Sequence, residues 1–163
     1  MHLASGQVFT TGFSKQRERE YSLFDCRSLG APLKTNKVDT NLGVLLPVVD
    51  TSRSIVYLAG RGDMSLRWVE VGGAAVFMEG GAPLPVTVAS MALVPEAQLD
   101  IMKAEINRVV VLTADAVVPV PIEVPRRQYI DFHQDLYPAY AARGRLDLRC
   151  PRASTSLAIA DDV

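Results

Sequence analysis

Three acidic residues in this chain are each followed, six positions later, by an apolar one: Glu18 by Phe24, Asp63 by Val69, and Glu105 by Val111. The apolar members lie 45 and 42 positions apart. A period of roughly 40–45 residues, filled with short strands, is what the blades of a β-propeller leave in a sequence. In such a unit a turn carboxylate accepts hydrogen bonds from nearby donors and holds a hairpin. The large residue near the end of the next strand packs between neighbouring sheets. A sheet that is apolar on both faces needs a neighbour to cover it.

The stretches between these markers support short strands. Runs rich in Val, Ile, Leu and Tyr at 43–49, 55–59 and 66–71 are separated by Asp50-Thr51-Ser52-Arg53 and Gly60-Arg61-Gly62-Asp63. Runs this short and close read as an antiparallel meander with Gly and Asp at its turns. Helix formers gather only at 95–107, where a helix is the alternative to strand; an unrelated all-β sandwich is the alternative for the whole chain. The 163 residues, 48% hydrophobic and 21% charged, supply a core of useful size and exclude a disordered chain. Seventeen Lys and Arg against 18 Asp and Glu exclude a nucleic-acid binder that works by bulk charge. The richest apolar stretch, 108–122, is interrupted by Asp115, Pro119 and Pro121, so no membrane span is expected. The start, Met1-His2-Leu3-Ala4-Ser5-Gly6, lacks the pattern of a secretory signal, so Cys26 and Cys150 are expected to be reduced thiols of a cytoplasmic protein.

Longer motifs carry a family resemblance. Thr10-Thr11-Gly12-Phe13-Ser14-Lys15 precedes Arg19-Glu20-Tyr21-Ser22-Leu23-Phe24-Asp25. Asp39-Thr40-Asn41-Leu42-Gly43-Val44-Leu45-Leu46-Pro47 runs into Val49-Asp50. Ile55-Val56-Tyr57-Leu58-Ala59-Gly60-Arg61-Gly62-Asp63 leads to Leu66-Arg67-Trp68-Val69-Glu70. Glu105-Ile106-Asn107-Arg108, Val124-Pro125-Arg126-Arg127 and Gln134-Asp135-Leu136-Tyr137-Pro138 follow in order. This series resembles the coronins, the actin-associated WD40-repeat proteins, over residues 6–138, densely to Val71 and more loosely to Val124.

The resemblance implies an all-β fold of WD40-type β-propeller blades, about two and a half of about seven, with an irregular C-terminal tail. The expected organisation is the later strands of one blade at 1–41, a complete blade at 42–85, a diverged blade at 86–125, and a C-terminal extension and tail at 126–163. The earlier blades and the family's coiled coil are not recognised, so the chain reads as a piece or a decayed copy of a coronin. An open arc of blades leaves apolar faces uncovered, and self-association is expected through them. The resemblance also implies actin filaments and actin-regulatory proteins as partners, and a cytoskeletal location.

Basic residues are the candidate contacts to an acidic partner: Lys15, Arg17, Arg19, Arg61 and Arg67. Each also reads as an ordinary solvated side chain. Glu18, Phe24, Asp63, Val69, Glu105 and Val111 are expected in structural blade positions. Trp68, one place out of phase with Val69, is expected between blades. Arg126-Arg127 matches a basic pair of the family and reads either as a partner contact or as a tether for the tail. Arg61-Gly62-Asp63 reads as a turn, and Gly60-Arg61-Gly62 lacks the third glycine and following helix of a dinucleotide site. His133 and His2 stand too far from other ligand types to suggest a metal site, no nucleophile-elbow pattern is present, and neither catalysis nor a cofactor is expected. Two other functions stay open: a generic WD40 interaction scaffold without actin affinity, and a ligand-binding or enzymatic β domain.

Overall fold

The computed structural model describes residues 6–72 and 75–126, together with Leu3, Phe132 and residues 135–137. The described strands form three sheets. In the first, β1 (Gln7–Phe13), β2 (Arg19–Asp25) and β3 (Lys34–Asp39) lie in sequence order. In the second, β4 (Leu45–Asp50), β5 (Ile55–Gly60), β6 (Ser65–Gly72) and β7 (Ala75–Pro83) do the same. The third holds β8 (Ser90–Leu93), β9 (Glu105–Leu112) and β10 (Val117–Glu123), with β9 in the middle. Pairing in the first two sheets is antiparallel throughout, with register shifts at Arg19/Glu20 and Glu70/Val71. These are the WD40-type blades of a partial β-propeller. Proline obeys its positional rule: Pro47 on β4, Pro83 on β7, and Pro119 and Pro121 on β10 all sit on edge strands, where a missing N–H breaks no inner ladder.

By packing, the chain divides into two compact units, one of residues 1–91 with 111–117 and the other of 92–110 with 118–163. The first unit contains the first two sheets. Its core lies between them, where Leu3, Phe9, Tyr21 and Leu23 meet Val56, Leu58, Val69 and Val71. Strand alternation brings Phe9, Tyr21 and Leu23 to one face of the first sheet, and the Phe9 and Tyr21 rings stack with centroids 5.0 Å apart. On β5 the run Val56-Tyr57-Leu58-Ala59 is buried without alternation, as a strand covered on both faces must be.

The opposite face of the first sheet departs from expectation. Alternation turns Val8, Thr10, Glu20, Ser22, Phe24, Thr35 and Lys37 there. Val8 and Phe24 pair at one end, but the middle is a hydroxyl ladder. Thr10 Oγ1 donates to the Ser22 carbonyl at 3.3 Å, and the Ser22 and Thr35 hydroxyls lie 2.8 Å apart. Glu20 and Lys37 stand opposite each other. An uncovered face was expected to be apolar; this one is mostly polar, which limits apolar association through it to the Val8–Phe24 end.

The helix held as the alternative to strand at 95–107 is not formed; single 3-10 turns stand at Glu96–Gln98 and Ile101–Lys103. Ala104 then takes a left-handed φ of 56°, ending any helical run, and β9 begins. Trp68 covers its own sheet: it pairs with Gly80 on β7, where an added Cβ would fall 2.3 Å from the indole. Gly80→Ala must therefore displace the ring, which we expect to cost about 1–3 kcal/mol of stability. Emission from this single tryptophan is expected to shift in the folded state; an unchanged spectrum and unfolding midpoint contradict the assignment.

Candidate interaction rim

One end of the first unit is built from three links: residues 14–18 between β1 and β2, 40–44 between β3 and β4, and 61–64 between β5 and β6. Arg19 holds them together. It opens β2 on the same alternation phase as Tyr21 and Leu23, so its side chain points inward and is 1% exposed. Arg19 Nε donates to Asp39 Oδ1 at 2.5 Å, and Nη2 donates to Asp39 Oδ2 and Asp63 Oδ2, each at 2.6 Å. Nη1 donates to the Gly43 carbonyl at 3.1 Å. The guanidinium thus joins a strand of the first sheet, the link to the second, and a turn within the second.

The backbone around the guanidinium is shaped to admit it. A Cβ on Gly60 would lie 1.8 Å from Arg19 Nη1, so a side chain at residue 60 excludes the guanidinium. A Cβ on Gly43 would lie 2.1 Å from the Arg61 carbonyl, and the adjacent Val44 carbonyl accepts the Arg61 N–H at 2.9 Å. Gly62, at φ 91°, supplies the left-handed turn residue. Beyond it, Gly62 N–H donates to Val88 and Val88 N–H donates to Asp63, at 2.7 and 2.9 Å. Asn41 completes the arrangement, its backbone N–H donating to Asp39 at 3.1 Å and its side chain to Asp63 at 3.3 Å.

The charges respond accordingly. The Arg19 hydrogen bond holds the Asp39 carboxyl below its ordinary range, against the opposing effect of burial. Burial disfavours the Arg19 charge, but the hydrogen bonds and attraction of Asp39 and Asp63 outweigh it and raise its pKa. A second polar tie joins the same two sheets: Tyr21 Oη donates to Glu79, and Asn36 donates to Glu79 and, at 2.6 Å, to Tyr21 Oη. Burial, then the bond to Glu79, raises the Tyr21 pKa.

The three acids share a spacing but not a role. Asp63 is the inter-sheet partner of Arg19. Glu18 forms a surface pair with Lys37. Glu105 is buried within the second unit, receiving Arg108 Nε and Nη2 and the Asp100 N–H, each at 2.6 Å. Glu123, in that unit, has its pKa raised by burial and by the nearby Glu105 and Asp100 carboxylates, with Lys103 acting the other way. Among the apolar members, Val69 and Val111 are buried, while Phe24 is half-buried on the outward face of the first sheet.

The basic residues separate in the same way. Arg19, read from sequence as a partner contact at a solvated tip, is corrected to a buried structural cation: its carboxylate partners belong to its own chain. Lys15 and Arg17 are exposed in the first link, with Arg17 at a left-handed φ of 63°. Arg61 is exposed in the third link, and Arg67 is 45% exposed with Nη2 3.6 Å from Asp39 Oδ2. No ion pair engages Lys15, Arg17 or Arg61 among the described residues. Arg126 pairs with Asp135; Arg127, His2, His133 and Cys150 lie outside the described residues. Spacing alone missed the Arg19 cluster, although the phase Arg19, Tyr21, Leu23 in a strand carries the signal for it.

A family described as a type of WD40 repeat matches residues 117–143. Coronin-7 of Homo sapiens is 37% identical over 138 residues, covering 80% of this chain and 14% of that protein. The crystal structure of the WD40 domain from Toxoplasma gondii coronin superposes with a TM-score of 0.75 at 31% identity, covering 80% of this chain and 34% of that one.

Loss of Arg19 leaves the largely buried Asp63 carboxylate without its cation and Asp39 with only the longer contact to Arg67, so Arg19→Met is expected to cost about 3–5 kcal/mol in chemical denaturation. A depressed carboxylate stabilises above its unfolded pKa of about 4, and that contribution disappears as pH falls through the lower folded value. Stability is therefore expected to hold from neutral pH to about pH 5 and to decline in acid, with the decline reduced in Asp39→Asn. An Arg19→Met protein as stable as the parent contradicts this.

Proposed function

Because the chain is a homologue of the coronins over four fifths of its length, we propose that it is a cytoskeletal interaction scaffold that contacts actin filaments. In this reading it acts by surface complementarity without chemistry, in the cytoplasm, alongside actin-regulatory proteins. Its three sheets serve as successive blades with boundaries near residues 42, 86 and 126. The observation that carries the reading is the basic rim. Lys15, Arg17 and Arg61 are exposed and unpaired among the described residues, and Arg67 is half-exposed beside them. Cations in this state are available to carboxylates on another protein, where they raise association rates and fix orientation. The whole of human coronin-7 extends far beyond the matched part, so the contacts assigned here belong to this rim alone.

Co-sedimentation with filamentous actin tests the proposal. The chain is expected in the pellet at micromolar actin, with binding falling as salt rises. Combining Lys15→Glu, Arg17→Glu and Arg61→Glu is expected to weaken binding about tenfold or more. Protein that stays in the supernatant removes the actin assignment. Partners that pull down from cytosol without actin then favour the generic WD40 scaffold.

A further inference from the structure

The rim carries an apolar feature that charge alone does not use. Leu42 is 79% exposed, Val44 57% and Met64 55%. They occupy one patch because the two links that bear them are bonded together: Arg61 N–H donates to the Val44 carbonyl, and Gly43 lies against the Arg61 backbone. Arg19 bonds both the Gly43 carbonyl and Asp63, and Val88 holds Gly62 and Asp63. The patch is thus fixed from beneath while its side chains face solvent.

Its surroundings are cationic. Arg61 is exposed within the patch, Arg67 is half-exposed nearby, and Lys15 and Arg17 stand on the neighbouring link. Three carboxylates at this end are already committed, Asp39 and Asp63 to Arg19 and Glu18 to Lys37. A surface of exposed aliphatic side chains, Met and Arg on a rigid backbone has the make-up of an interface core. Links already held in place lose little freedom when a partner binds.

We infer that the patch formed by Leu42, Val44 and Met64, edged by Arg61, is a docking site for a protein segment in which an apolar side chain is flanked by carboxylates. The apolar side chain covers Leu42 and Met64, and the carboxylates reach Arg61 and the cations beside it. This deepens the scaffold reading and rests on it, but it does not depend on actin as the partner. Lipid headgroups or RNA satisfy the cations and leave the apolar trio unused.

The full chain is titrated into a short fluorescent peptide in which Asp and Glu alternate with Leu. Two controls replace Leu by Ser, or the acids by Lys, and RNA and anionic vesicles are tested in parallel. The acidic Leu peptide is expected to bind about tenfold more tightly than its Ser counterpart, with no binding of the Lys peptide. Leu42→Ser with Met64→Ser, and separately Arg61→Glu, are each expected to weaken binding roughly tenfold. Both change exposed side chains, and circular dichroism is expected to match the parent. Equal binding of the Ser peptide, no peptide binding, or RNA or vesicle binding that replaces peptide binding overturns the inference. Peptide binding without actin pelleting sinks the actin assignment and leaves this site standing. Actin pelleting without peptide binding does the reverse.

Discussion

A guanidinium buried between two sheets is the constraint on which the rest of this structure depends. Removing a charge from water costs several kcal/mol, and that cost is offset only when its donors are satisfied in good geometry. Arg19 meets the condition through two carboxylates and a carbonyl drawn from three chain segments. The planar fork suits this task, because it reaches both Asp39 and Asp63 while a third direction remains for Gly43. A lysine ammonium offers no such spread of fixed directions. Gly60 has no side chain because the guanidinium occupies that space.

Apolar packing and polar ties divide the work of joining the two sheets. Phe9, Tyr21 and Leu23 against Val56, Leu58, Val69 and Val71 supply non-directional burial, which brings the sheets together but tolerates small slips. Arg19 and the Tyr21–Asn36–Glu79 group add directional bonds that fix register. Precision at the rim follows from that fixing. The 40–44 and 61–64 links present Leu42, Val44, Met64 and Arg61 in one arrangement because the charge network beneath leaves them little choice.

Sequence spacing made the strand runs, the turns at Asp50-Thr51-Ser52-Arg53 and Gly60-Arg61-Gly62-Asp63, and the WD40 character legible. These depend on local pattern: β-branched runs, turn residues and long motifs in order. What was not legible depends on tertiary pairing. Arg19 has the composition of a solvated hairpin tip, sitting between Glu18 and Glu20, and only its phase with Tyr21 and Leu23 marks it as buried. The close approach of Gly80 to the Trp68 indole emerges only from the register of β6 and β7. The helix formers at 95–107 give way because the chain must turn into β9, with Glu105 tying down the Asp100 amide. Blades in general need apolar cover, whereas Thr10, Ser22 and Thr35 make the outward face of the first sheet largely polar.

The assembly of both sheets around one cation is tested most directly by a double-mutant cycle between Arg19 and Asp63, residues 44 positions apart in the sequence. Unfolding free energies of Arg19→Met, Asp63→Asn and the double variant give the coupling between them. Direct pairing across the sheets predicts a coupling of about 1–3 kcal/mol. Additive effects, with coupling below about 0.5 kcal/mol, contradict it.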